Sequence, residues 1–110
     1  MEENSFKASV VMMILSGRTE KAISLMSDFY KIKAPMIRVG HVKGKKRALG
    51  VYVAKENTIY FARSENLTDP FVVLHEFYHH LRNRGGEHKG NEKLANKFAI
   101  SYIKSFMSVS

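Results

Sequence analysis

The chain has no cysteine among its 110 residues. Disulfides and thiolate zinc sites are therefore excluded, and any metal would have to be held by nitrogen and oxygen donors. A cysteine-free composition also fits a reducing compartment, so a cytoplasmic setting is expected. Proline is nearly missing too: Pro35 and Pro70 stand alone, and no proline-rich linker divides the chain. Long apolar runs are absent. The longest, residues 10–15, falls far short of the roughly 20 residues that cross a bilayer, so no membrane partner is expected. That run follows Glu2 and Glu3 and lacks a small-residue cleavage pattern, which argues against a secretory leader. Acidic residues are scarce: 10 stand against 18 Lys and Arg, for a net charge of +8. With no repeats and no low-complexity segment, residues 1–110 read as one domain with a modest core.

What is present centres on His75-Glu76-Phe77-Tyr78-His79. Residues four apart share a helix face, so His75 and His79 can bind one metal ion together, with Glu76 beside them. Neutral imidazoles suit zinc, which lowers the pKa of a bound water to about 7. A neighbouring carboxylate can then act as general base, the role expected for Glu76. Composition alone produces such a motif in roughly one or two chains per hundred, but the surroundings fit as well. Asp69-Pro70 is an N-cap followed by proline at the first helical position. Phe71, Leu74, Tyr78 and Leu81 repeat at helical spacing, and Gly85-Gly86 is the expected stop.

Catalytic zinc keeps three protein ligands. Glu92 is the best third candidate, in the first turn of a helix capped by Asn91 and running through Ala95, Phe98, Ala99, Tyr102 and Phe106. Ala95 and Ala99 would let that helix pack closely on the motif helix, and Asn96 could hydrogen-bond a ligating histidine. Glu87 and His88, in the loop between glycines, are rivals. His80 points about 100° away from His79 round the helix and is a poor ligand.

His75-Glu76-x-x-His79 followed by Asn91-Glu92-x-x-Ala95-Asn96 resembles the gluzincin pattern of zinc metallopeptidases, and the short chain is similar to the minigluzincins. The motifs cover about residues 69–103. The resemblance implies zinc on His75, His79 and Glu92, Glu76 as general base, and a peptide or protein substrate. It also implies a helix, a small sheet, the motif helix and the glutamate helix. Many gluzincins carry Asp where this chain has Asn96.

Taken in order, residues 6–15 and 19–32 read as helices, the second capped by Thr19, with methionines on their core faces. Strands are expected over 36–42, 49–54 and 58–62. The expected fold class is α+β: a small zincin-like domain with a helical N-terminal part, a three-stranded mainly antiparallel sheet, the motif helix and a C-terminal glutamate helix. Tyr102 or Tyr78 is a candidate to assist the oxyanion.

Lys43-Gly44-Lys45-Lys46-Arg47 reads as a hairpin tip between the first two strands. A solvated loop is the bland reading. Attraction of peptide to this rim is another. The different functional class is a basic nucleic-acid-associated module with structural or regulatory zinc. Little aromatic interleaving supports it, so nucleic acid is not the expected partner. Residues 105–110, uncharged in their side chains, read either as a frayed terminus or as a tail that could enter an exposed sheet edge of a neighbouring copy. The latter would couple concentration-dependent self-association to autoinhibition.

Overall fold

A computed structural model describes residues 3–84, 86–88 and 90–109, with backbone only for Arg84, Glu87 and His88. The elements run α1 (Glu3–Leu15), α2 (Thr19–Phe29), β1 (Met36–Val39), β2 (Gly50–Val53), β3 (Thr58–Phe61), α3 (Pro70–Leu81), β4 (Asn83–Arg84), β5 (Glu87–His88) and α4 (Glu92–Val109). This is the expected α+β arrangement. Among the described residues no helix is long and apolar enough to cross a membrane.

The three-stranded sheet has the order β1-β3-β2, with β1 parallel and β2 antiparallel to β3. It is therefore mixed, and β1 and β2 do not form a hairpin. The reason lies in burial. Thr58, Ile59 and Phe61 of β3 are buried, whereas three of the four β1 residues are exposed. The most buried strand is the central one, covered on both edges. The basic run 43–47 consequently lies not at a hairpin tip but in the crossover that carries the chain past β3.

The core joins Phe6, Val10 and Ile14 of α1, Ala22 and Met26 of α2, Ile59 and Phe61 of β3, Val73, Leu74 and Phe77 of α3, and Ala99 and Tyr102 of α4. Met26 is fully buried, as its stripe position requires, while Met12 lies about half exposed.

Local chemistry sets the boundaries. α2 stops at Phe29, short of residue 32, because Lys31 adopts a left-handed conformation at φ 58°. The Ile32 N–H reaches the Ser27 carbonyl at 2.9 Å and the Lys31 N–H reaches Asp28 at 3.2 Å, which closes the last turn. Thr19 is the first helical residue, not the cap; its hydroxyl donates to the Leu67 carbonyl instead. α3 ends at Leu81, before the glycines: Asn83–Arg84 pairs antiparallel with Glu87–His88 as the short β4 and β5, and the Gly86 N–H donates to Asn83 Oδ1. Gly85 lies outside the described residues. At the C-terminus, residues 105–109 continue α4 rather than forming an extended tail, and Ser105 is buried. That stretch begins about 20 Å along the helix axis from Glu92. Ser110 lies outside the described residues.

Candidate metal centre

Two capped helices position the site. Asp69 accepts the N–H groups of Phe71 at 3.0 Å and Val72 at 3.3 Å, and Pro70 occupies the first turn of α3. Asn91 Oδ1 accepts the Leu94 N–H at 2.8 Å and starts α4. Fully buried Ala95 and Ala99 leave room for α4 against α3. Their packing brings the first turn of α4 over the middle of α3.

There His75, His79 and Glu92 converge, their ligand atoms all within 4.8 Å of one another. Glu92 Oε2 stands 2.8 Å from His75 Nε2, and Oε1 stands 2.7 Å from His79 Nε2. The two Nε2 atoms face each other at 3.3 Å. Ligands on a tetrahedral zinc at about 2.0–2.1 Å are separated by roughly 3.3 Å, so the imidazole pair already has the spacing of two zinc ligands. His75 Nδ1 lies 2.8 Å from Asn96 Oδ1. Asn96 Oδ1 can accept only from Nδ1–H, so Nε2 would be the atom His75 offers to a metal. Burial pushes the Glu92 carboxyl up, but the charges and hydrogen bonds of His79 and His75 outweigh it and hold it below its ordinary value. The donor set fits zinc: two imidazoles and a carboxylate that stays anionic.

Glu76 stands apart from the ligands, its Oε2 3.9 Å from His75 Nε2. It is buried, and the Tyr52 backbone N–H donates to its carboxylate. Burial and then the nearby Glu92 charge push its pKa up to about 8, against the opposing Tyr52 N–H. The sign for stability follows. A carboxyl with a raised folded pKa supports folding fully below about 4.5, and that support is lost as pH rises through about 8. In chelator, Glu76→Gln should therefore match the parent in stability near pH 4 and exceed it near pH 9, by at most about 5 kcal/mol. Melting temperatures across pH check this, and zinc should narrow the gap because a cation favours the carboxylate. Equal gaps at both pH values would count against it.

The remaining residues sort clearly. His80 faces away: its Nε2 donates to the Lys33 carbonyl at 2.7 Å, so its Nδ1 accepts the Tyr52 hydroxyl at 2.9 Å. Burial lowers its pKa. Tyr102 is removed from the site as an oxyanion aid, being fully buried with its hydroxyl 2.6 Å from that of Tyr30. Tyr78 packs on Phe98, and its hydroxyl lies beside Gly90. The side chains of the rivals Glu87 and His88 lie outside the described residues.

Tyr52 and Gly50 are site residues that sequence reasoning missed. Strand alternation alone does not reveal which element β2 lies against. A Cβ at Gly50 would sit 2.8 Å from Val72 Cγ1 and 3.0 Å from Glu76 Cγ. Gly50→Ala should accordingly destabilise the chain by about 1–3 kcal/mol through overpacking, read by thermal unfolding. An unchanged melting temperature would show that β2 does not press on α3.

Comparison of the chain with protein-family models, with curated proteins and with solved structures found no match.

Proposed function

We propose that the chain is a zinc-dependent metallopeptidase of the gluzincin type, similar to the minigluzincins, working in the cytoplasm. The observation that carries this reading is the convergence of His75, His79 and Glu92 with a buried carboxylate, Glu76, 3.9 Å from the first of them. When bound, zinc supplies a Lewis acid for a peptide carbonyl and a coordinated water acidic enough to ionise near neutral pH.

The chain's own groups do the rest. Glu76 is fixed by the Tyr52 N–H and walled by Gly50, so its carboxyl has little freedom to turn. With a cation beside it the carboxylate form is favoured, so Glu76 is placed to take a proton from water and release it to the departing amine nitrogen. Asn96 keeps the His75 ring oriented. Beside them runs β2, an edge strand of its sheet. Its pairing with β3, continued by the Ala62 N–H on the Leu49 carbonyl, turns the peptide groups of Gly50 and Tyr52 away from β3; of these the Tyr52 N–H is taken by Glu76. An extended peptide can add along that edge through main-chain hydrogen bonds.

The test is zinc content with hydrolysis of an unfolded protein substrate. About one zinc per chain is expected, with hydrolysis lost in chelator and restored by zinc. Hydrolysis that persists after zinc is stripped, or a chain that takes up none, would defeat the proposal.

A further inference from the structure

The basic crossover gains a specific position from the sheet order. One hollow of about 370 Å³ is lined on one side by Lys45, Ala48 and residues of β2, and on the other by Glu76, His79 and Glu92. The crossover therefore ends on the rim of the candidate metal centre. Lys43, Lys45, Lys46 and Arg47 are all exposed. Among the described residues none of the four has a carboxylate partner within ion-pair distance. A solvated lysine run elsewhere on the surface would raise solubility and no more. Here four uncompensated cations precede the strand edge along which a peptide would lie, on a chain of net charge +8.

From this placement we infer that the cleft selects acidic peptide segments, with Lys45 on its rim as the specificity-determining side chain and its exposed neighbours Lys46 and Arg47 adding to the same positive field. The inference rests on the metallopeptidase reading for its cleft but concerns binding, not chemistry. Within a Debye length of about 8 Å at physiological salt, the rim cations attract carboxylates carried by a substrate strand. Such rim charges act on capture, so they move KM and the association rate more than kcat. An acidic peptide is favoured over nucleic acid by the neighbouring strand edge, which matches a peptide main chain.

The experiment uses the full chain carrying Glu76→Gln, so that bound peptide is not consumed. Fluorescent peptides of equal length carry Glu and Asp, the isosteric Gln and Asn, or Lys at the same positions, and an oligothymidylate of matched charge is the fourth probe. Anisotropy titrations are run with zinc. The acidic peptide should bind about tenfold or more tighter than its amide isostere at about 50 mM salt. The preference should collapse near 500 mM salt, where the Debye length falls to about 4 Å. It should reverse toward the Lys peptide in the triple charge reversal K45E/K46E/R47E. Circular dichroism checks that this variant folds, and K45Q serves as the milder form.

Equal binding of the acidic and amide peptides overturns the inference. So does a preference that survives the charge reversal. Oligothymidylate binding tighter than the acidic peptide, lost on the same reversal, overturns it in favour of a nucleic-acid site. Because these readouts need no turnover, they are separable from the metallopeptidase reading: a chain that selects acidic peptides but hydrolyses none refutes that reading and leaves this one standing.

Discussion

Glu76→Gln should leave zinc bound within a few-fold of the parent affinity while lowering kcat by about 10²–10⁴. The two halves have different origins. The Glu76 carboxyl lies outside the ligand cluster, so its loss removes no metal donor. Gln keeps the shape, fills the same space against Gly50, and still accepts the Tyr52 N–H, so the cleft should not collapse. What it cannot do is take up a proton. KM should move little, because the interaction removed is one made on the way to the transition state. Zinc analysis by dialysis and steady-state hydrolysis of one peptide give both numbers. Full activity with normal zinc would remove Glu76 from the mechanism. Loss of zinc along with activity would make it a ligand rather than a base.

Much of this site is legible in the sequence because helices are local. The spacing of His75 and His79 places them on one face whatever surrounds them, and Asp69-Pro70 announces where that helix begins. Asn91 and the small residues Ala95 and Ala99 likewise mark α4 and its close approach. Sheet order is another matter. Strand patterns at 36–42, 49–54 and 58–62 say that strands exist but not which neighbours they choose. The burial of β3 decides that, and burial depends on the whole fold. The contacts that follow from pairing are therefore invisible beforehand: the Tyr52 N–H on Glu76, the pressure of Gly50 on Val72, and Lys45 on the rim of the hollow. The end of α4 fails for a related reason. Ser105-Phe106-Met107-Ser108 has no strong helix preference, but Ser105 and Asn4 meet at 3.2 Å as α4 continues alongside α1. Tertiary packing carries the helix through a stretch that propensity leaves open.

His79→Ala should abolish zinc binding, and Glu92→Ala should weaken it by a smaller but clear factor. His79 is buried and supplies one of the two imidazoles spaced 3.3 Å apart. Without it only one histidine remains, and a water cannot replace a donor fixed on a rigid helix. Glu92 is mostly exposed at the start of α4, where water can take over part of its coordination. Asn96→Ala removes no donor but frees the His75 ring, and about 10–100-fold in affinity is the usual scale for such support. Stability gives a second readout. A ligand at 100 times its Kd stabilises the folded state by about 2.7 kcal/mol. For a domain of this size that raises the melting temperature by roughly 10 °C or more. The parent should show this shift on adding zinc, His79→Ala should show none, and Glu92→Ala should need much higher zinc to reach it. Glu87→Ala and His88→Ala should behave like the parent. If either of these loses the shift while Glu92→Ala keeps it, the third ligand lies in the β4–β5 hairpin and not at the head of α4.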